Sequence, residues 1–284
     1  MPQLHFARLF LLFALGGLAP LATETALAQT APQGVVSLNL CADQLLLRLA
    51  DREQIVSLSP LVRDPSLSFL VAEASGVPSN EGKGEAILFS RADLVLAGSF
   101  GQLARTALLR RQGLDVLELD PWRSLDHGRE QIRLVAKRLG HPERGEALIA
   151  EIDAALARTR DIVPAKRSIL PYYRRGWVPA SNSLISELLI HMGFTLQQDT
   201  LGMKRGGVVR LESIVTSPPD YLLVHDDDAE AVDNGSALLV HRALLTAVPP
   251  DRRLVIAGRL AICGGPSTPA LIDALAREIR AKVR

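Results

Sequence analysis

The chain has 284 residues, of which 48% are hydrophobic, and this is enough to bury the cores of two lobes. Its 32 basic residues are almost balanced by 31 acidic ones, so the formal net charge is only +1. Because no basic run stands out from this balance, a nucleic-acid-binding surface is not expected.

Residues 1–28 have the pattern of an export signal. Arg8 precedes an apolar run over residues 9–15, and Ala26-Leu27-Ala28 forms a small-x-small cleavage site. The apolar run is too short to span a bilayer comfortably, so we expect cleavage near Ala28 rather than a retained membrane anchor. No cysteine follows this site where a lipid anchor would need one. The sequence therefore predicts a free periplasmic protein.

Strands and helices alternate from residue 34 to residue 140. Strands are predicted at 35–38, 55–58, 94–97 and 116–119, and helices at 42–49, 103–111 and 125–139. This alternation predicts a parallel sheet with helices on both faces, which is a Rossmann-like α/β lobe.

A long connecting helix is predicted at 143–163, within a segment that spans residues 141–164. Pro142 stands at its start and Pro164 at its end, and apolar residues recur between them at helical spacing. A second α/β lobe is predicted from residue 165 to residue 284, with strands at 169–173, 221–224 and 254–257 and helices at 184–192 and 268–282. The predicted fold is α/β, with two Rossmann-like lobes joined by one helix.

The two predicted lobes share a short repeat. In the first lobe, Glu85 opens a short helix and Asp93, eight residues later, precedes an apolar strand. In the second lobe, Glu212 opens a short helix and Asp220, again eight residues later, precedes an apolar strand. Glycines come just before each Glu. Because the Glu, the helix and the strand all coincide, the repeat predicts an internal structural symmetry.

Taken together, these features resemble the iron-siderophore and vitamin B12 class of periplasmic binding proteins of ABC importers. The resemblance is carried by the Glu-x-Ile…Asp-strand repeat, the single connecting helix, and the run Asn-Ser-Leu-Ile-Ser-Glu-Leu-Leu with its following Met-Gly-Phe. It implies a ligand held between the lobes, small hinge motions, and an ABC permease with its ATPase as partners at the inner membrane. It also implies that Glu85 and Glu212 dock onto arginines of the permease, although the helix dipole alone would favour Glu in a first turn.

Ligands of parallel α/β sheets bind beyond the carboxyl ends of the strands, so the residues that follow each strand are the candidates. Ser59, Arg175, His225 and Asp226 follow strands. The predicted ligand contacts are Ser99, Phe100, Trp122, Tyr172, Tyr173, Arg174, Trp177 and Arg259. Segment 172–177 is favoured because it holds three of the chain's five Tyr and Trp residues. We expect it to face Phe100 and Trp122 across the cleft; a core tyrosine pair beside a solvated arginine loop is the alternative.

Cys41 and Cys263 each follow a strand, one in each predicted lobe, so both should approach the cleft. An exported chain would carry them into an oxidising compartment. A disulfide between the lobes, a metal site and two buried thiols all remain open at this point, because a disulfide depends on geometry that the sequence does not give.

The sequence contains no Gly-x-Ser-x-Gly, His-Glu-x-x-His, P-loop or Gly-x-Gly-x-x-Gly motif. We therefore predict a monomeric binding protein, without a cofactor or resident metal, rather than an enzyme. An exported enzyme whose site is assembled from distant residues and a pure interaction protein are the alternatives. The aromatic and arginine residues suit cobalamin, a ferric siderophore or haem, and cobalamin is preferred because no side-chain cluster for a bare metal is evident.

Overall fold

The computed structural model describes residues 31–81, 87–99, 103–226, 235 and 237–284. The predicted signal therefore lies outside the described residues. The first sheet contains strands β1 (Val35–Ser37), β2 (Ile55–Ser57), β3 (Leu94–Gly98) and β4 (Asp115–Leu119). They are parallel and run in the order β2-β1-β3-β4. The central strand β3 is an almost continuous apolar run because helices cover both faces of the sheet.

Two of the four helices of this part begin at residues whose side chains cap them. The four helices are α1 (Leu40–Leu49), α2 (Leu103–Arg111), α3 (Leu125–Leu139) and α4 (Pro142–Ala157). Asn39 caps α1 by accepting a hydrogen bond from the Ala42 amide at 2.8 Å, and Ser124 caps α3 through the His127 amide at 3.0 Å. Gly140 ends α3 with a φ of 88°, a conformation that glycine adopts without strain.

The connecting helix α4 is shorter than predicted, since it ends at Ala157 instead of Val163. After its end, the amides of Asp161 and Val163 donate to the carbonyls of His191 and Met192, so the chain leaves the helix to pair with a later segment. Helix α4 packs against both α1 and α3. One face of α4 is therefore packed against the rest of the molecule, and the other face is exposed.

The second sheet contains β5 (Arg167–Pro171), β7 (Phe194–Leu196), β9 (Tyr221–His225) and β10 (Arg253–Ile256). Its order is β7-β5-β9-β10, again parallel throughout. Strands β6 (Trp177–Val178) and β8 (Gly207–Val208) form a separate antiparallel pair. The helices are α5 (Leu184–His191), α6 (Gln197–Thr200), α7 (Leu211–Thr216), α8 (Arg242–Ala247), α9 (Gly258–Ala261) and α10 (Thr268–Lys282).

The two sheets have the same strand order, and the repeated aspartates occupy equivalent places. Asp93 precedes β3 and accepts hydrogen bonds from the amides of Gln33 and Gly34, which precede β1. Asp220 precedes β9 and accepts from the amide and the hydroxyl of Ser168 in β5. Each aspartate thus ties the start of its own strand to the neighbouring strand, which is the internal symmetry that the repeat predicts.

One apolar core serves both sheets. Its largest cluster of buried side chains includes Val35 of β1, Leu148 of α4, Leu188 of α5 and Leu275 of α10. We refer to residues 31–140 as the N-terminal half and to residues 165–284 as the C-terminal half; the exact lobe boundaries remain a prediction. None of the helices in the described residues is both long and apolar enough to cross a lipid bilayer.

Candidate functional site

A cavity of about 560 Å³ lies where the carboxyl ends of strands from both sheets converge. Because parallel strands place their carboxyl ends at one edge of a sheet, the residues after β1, β3, β4, β5, β9 and β10 all reach it. The lining residues from the N-terminal half are Asn39, Leu40, Cys41, Leu45, Leu61, Leu67, Gly98, Ser99, Leu119, Asp120, Pro121, Trp122 and Gln131. Those from the C-terminal half are Tyr173, Pro179, Ser183, Leu184, Ile185, His225, Ala261, Ile262, Cys263 and Gly264.

An aromatic pair forms part of the wall in the C-terminal half. The rings of Tyr173 and His225 are stacked, with centroids 4.1 Å apart and planes inclined by 24°. Tyr173 follows β5, and His225 is the last residue of the neighbouring strand β9. Trp122 of the N-terminal half lines the same cavity. The structure therefore brings Ser99, Trp122 and Tyr173, three of the predicted contacts, to one site.

Tyr172 is not among the residues that line this cavity. Neighbouring residues of an extended chain point to opposite sides, so only one of the two tyrosines can face the cavity. Tyr172 is fully buried in a separate apolar cluster, and its hydroxyl donates to the carbonyl of Val209 at 3.4 Å.

Three other predicted contacts also lie away from the cavity lining. Trp177 is 51% exposed and belongs to the β6–β8 pair, where it is paired with Val208. Arg174 and Arg259 are exposed and are not among the lining residues. Phe100, predicted to face the tyrosines, lies outside the described residues.

The lining is mostly apolar, with a few neutral polar groups. The Ser99 hydroxyl is buried and has no hydrogen-bond partner among the described residues, so it is available to a ligand. Asp120 supplies a carboxylate, 3.6 Å from the guanidinium of Arg123. Neither lysine nor arginine occurs among the described lining residues. The arrangement suits a bulky apolar ligand with neutral hydrogen-bonding groups better than an anionic one.

Cys41 and Cys263 form a disulfide, with their Cα atoms 5.2 Å apart. Cys41 is in the first turn of α1, and Cys263 follows α9. Both line the cavity, so the bond joins the two halves at the edge of the site. Of the three states that the sequence left open, the structure has the disulfide.

Trp122 is held by two glycines. A Cβ atom added to Gly128 would lie 2.3 Å from the indole, and one added to Gly264 would lie 2.2 Å from it. Real side chains cannot approach so closely, so the indole needs glycine at both places. Gly128 belongs to α3 and Gly264 follows Cys263, so Trp122 also connects the two halves.

The described part of the N-terminal half contains one fully buried carboxyl group. Asp43 of α1 is fully buried and accepts hydrogen bonds from the Ser59 amide, at 3.0 Å, and from the Ser59 hydroxyl. Burial raises its pKa from the ordinary 3.8 to about 6, against the opposing effect of hydrogen bonds from Ser37 and Ser59. Ser59 follows β2, but its polar groups bond to Asp43 and it does not line the cavity.

Glu212 is exposed in the first turn of α7, whereas Glu85 lies outside the described residues. The exposure of Glu212 is compatible both with docking and with the dipole effect. Within the described ranges, no group of three or more His, Cys, Asp or Glu side chains is placed to hold a metal ion.

The profile of the periplasmic binding protein family matches residues 35–253. The chain belongs to this family. The predicted resemblance is therefore confirmed, and so is the predicted fold class. Periplasmic binding proteins of this family are substrate-binding transport proteins that work with ABC permeases.

Among curated proteins, the chain is similar to proteins named cobalamin-binding protein from two strains of Halobacterium salinarum. The identity is 27% over 228 residues, covering 78% of this chain and 61% of each relative. The chain thus spans less than two thirds of the length of these relatives.

The fold is similar to those of solved binding proteins. The periplasmic heme-binding protein RhuT from Roseiflexus sp. RS-1, in its apo form, has a TM-score of 0.71 and 23% identity, covering 88% of this chain and 98% of that one. The periplasmic heme-binding protein BhuT, in complex with two hemes, has a TM-score of 0.70 and 19% identity, covering 90% of this chain and all of that one (100%). At these identities the likeness concerns the fold.

Proposed function

We propose that this protein is the substrate-binding component of an ABC importer and that it captures cobalamin in the cavity between its two halves. The observation that carries this proposal is the lining itself: apolar and aromatic walls, a free Ser99 hydroxyl, and no lysine or arginine among the described residues that line the cavity. The edge of a corrin ring carries neutral amide groups, which can bond to a hydroxyl or to the carboxylate of Asp120. The propionates of haem and the catecholates of many siderophores are anionic, and a cation would suit them better.

Haem is the second candidate, because Tyr173 and His225 are both side-chain types that bind haem iron. The solved heme-binding neighbours share the fold with this chain. A ferric siderophore-type chelate is the third ligand to be tested, and an exported enzyme is the competing class.

Titrating the purified protein with cyanocobalamin, haemin and a ferric catecholate, followed by absorption spectroscopy and calorimetry, tests the ligand. We expect saturable one-to-one binding of cyanocobalamin and weaker binding of the other two. Tight binding of haemin with a shifted Soret band would instead establish the second candidate. Binding of none of the three would remove the proposed ligand class.

Two aromatic variants test the location of the site. Tyr173→Ala should weaken binding by roughly 5- to 150-fold, which corresponds to about 1–3 kcal/mol for a lost packed side chain. Trp177→Ala is the matched control, since Trp177 lies outside the cavity lining, and its affinity should stay within about twofold of wild type. Equal losses in both variants would argue against this cavity as the site.

For delivery, we propose that the protein acts as a periplasmic monomer, after removal of residues 1–28, and docks onto its permease through Glu85 and Glu212. Glu212→Ala should reduce uptake in transport assays without changing ligand affinity, and the double variant with Glu85→Ala should reduce it further. Normal uptake by the double variant would overturn the docking role.

A further inference from the structure

The antiparallel pair β6–β8 carries two apolar side chains in the open. Trp177 is 51% exposed and Val208 is 62% exposed. The two residues are directly opposite each other in the pair, so their side chains lie on the same side and form one apolar spot. Val209, the next residue of the chain, is buried, so the other side of the pair packs against the protein. Apolar side chains that are grouped on a surface in this way indicate contact with a partner.

Positive charge flanks this apolar spot. The two segments that form the pair, residues 174–182 and 203–210, contain five cationic residues and no aspartate or glutamate. All five are exposed: Arg174, Arg175, Lys204, Arg205 and Arg210. The last four make no ion pair with a carboxylate of the described residues. Because the net charge of the whole chain is only +1, this is a local excess of positive charge.

The two segments are held side by side by their backbones. The Val209 amide donates to the Gly176 carbonyl at 2.9 Å, and the Ser181 amide donates to the Lys204 carbonyl at 2.9 Å. Gly206 has a φ of 74°, and a Cβ atom added to it would lie 2.7 Å from backbone of the other segment. Glycine is therefore needed for this close approach, which keeps the cations and the apolar spot on one surface.

We infer that this surface, which we call the β6–β8 surface and define as Trp177, Val208 and the five cations, binds the anionic face of a lipid bilayer. Tryptophan favours the headgroup region of a bilayer, and apolar neighbours can enter the same boundary. Each Lys or Arg near an anionic lipid surface adds about 1 kcal/mol of attraction. An acidic protein segment would pair with the cations but would leave the apolar spot uncovered. The inference goes beyond the proposed function and needs neither ligand nor permease.

The β6–β8 surface lies next to the wall of the cavity. Tyr173 and Pro179 both line the cavity, and the Tyr173 amide donates to the Trp177 carbonyl at 2.8 Å. Glu212 follows Arg210 by two residues and is the first carboxylate after the surface. A protein adsorbed through this surface would thus bring its cavity wall and Glu212 towards the bilayer that holds a permease. This last step alone rests on the proposed function.

Co-sedimentation with lipid vesicles tests the surface. The exported protein after signal removal is used, because the apolar run of residues 9–15 would itself bind lipid. Wild type should bind vesicles of equal parts phosphatidylglycerol and phosphatidylcholine at least about tenfold more tightly than vesicles of phosphatidylcholine alone. Raising the salt from about 0.1 M to about 1 M should release it, because the Debye length falls from about 10 Å to about 3 Å.

Two charge variants separate the local charge from the net charge. The surface variant is Arg175→Gln/Lys204→Gln/Arg205→Gln/Arg210→Gln. The control removes four exposed cations elsewhere and is Arg91→Gln/Arg111→Gln/Lys137→Gln/Lys166→Gln. Each cation lost from the surface should weaken binding about fivefold, which corresponds to about 1 kcal/mol. The surface variant should therefore be lost from the vesicles, whereas the control should stay within about threefold of wild type.

The chain has only two tryptophans, so fluorescence reports which of them meets the lipid. Trp122→Phe leaves Trp177 as the one emitting indole, and its emission should shift to shorter wavelength on anionic vesicles and be quenched by brominated lipid. Trp177→Phe leaves Trp122 of the cavity wall, whose emission should not shift. Trp177→Ala should bind these vesicles about tenfold more weakly than wild type, since an apolar contact is lost.

Equal losses of vesicle binding in the two charge variants, or an unshifted Trp177 emission on anionic vesicles, would overturn the inference. Capture by immobilised polyglutamate without binding to anionic vesicles would also overturn it and would assign the surface to an acidic protein. If Trp122→Phe does not fold, quenching of wild type compared with Trp177→Phe gives the same measurement. These assays contain no cavity ligand, so their failure leaves the proposed function standing, and failure of cyanocobalamin to bind leaves this inference standing.

Discussion

The buried carboxyl of Asp43 makes a quantitative prediction about stability and pH. Its pKa is about 6 in the folded protein and close to 3.8 when unfolded, so the folded state binds the proton more tightly. The stabilisation from this group is therefore fully present below pH 3.8 and is lost as the pH rises through 6. From these two values, protonation of Asp43 adds about 1.4 kcal/mol to the free energy of unfolding at pH 5 and almost nothing at pH 7.5.

Asp43→Asn removes this dependence while keeping a side-chain oxygen that can accept from the Ser59 amide. Urea denaturation of both proteins at pH 5 and pH 7.5 gives four free energies of unfolding. Other groups titrate in both proteins, so their effects cancel when the variant's pH difference is subtracted from that of wild type. After this subtraction we expect a difference of about 1.4 kcal/mol, because acidification should raise the free energy of unfolding of wild type more than that of the variant.

If wild type and variant show the same change in the free energy of unfolding between the two pH values, Asp43 titrates normally and its hydrogen bonds offset its burial. If wild type instead loses free energy of unfolding on acidification relative to the variant, Ser37 and Ser59 stabilise the carboxylate more than burial destabilises it. Either result would refute the assignment of desolvation as the larger effect.

Three further predictions concern stability. Gly128→Ala should destabilise the protein by about 1–3 kcal/mol although alanine favours helices, because its methyl group would collide with Trp122. In a Trp122→Ala background the same change should be neutral or stabilising, and thermal melts of both variants measure this. Asp220→Ala should cost about 1–2 kcal/mol by leaving the Ser168 amide and hydroxyl without their acceptor, and equal denaturation midpoints for variant and wild type would contradict this. Reduction of the disulfide should lower the free energy of unfolding by up to about 5 kcal/mol, since the bond closes a loop of 222 residues; calorimetry with and without reductant measures it.

The alternation of apolar strands and helices predicted all four strands of the first sheet, but only β5, β9 and β10 of the second. Strand β7 was missed because it has only three residues, Phe194–Leu196, with a polar threonine in the middle. The connecting helix was predicted too long, since the apolar residues near Val163 continue the helical spacing. What ends the helix is a pairing with His191 and Met192, distant residues that local periodicity does not reveal.

The residues that line the cavity are harder to predict, because the sequence does not say which way each side chain points. Strand-end position points to residues at this edge of the sheets, but it does not say which of Tyr172 and Tyr173 faces the core. His225 also follows from strand-end position, as the last residue of β9, yet only the structure shows it stacked on Tyr173. The contact of Trp122 with Gly264 depends on how two distant halves meet, so no local pattern could indicate it.

The core that both sheets share has a consequence for the order of folding during synthesis. Helix α10, the last helix of the described residues, contributes Leu271, Ile272 and Leu275 to the cluster that also contains Val35 of β1. Until these last residues have been made, the first strand lacks part of the surface that it packs against. The first strand of a growing chain is therefore fully packed only after residues 268–282 have been synthesised.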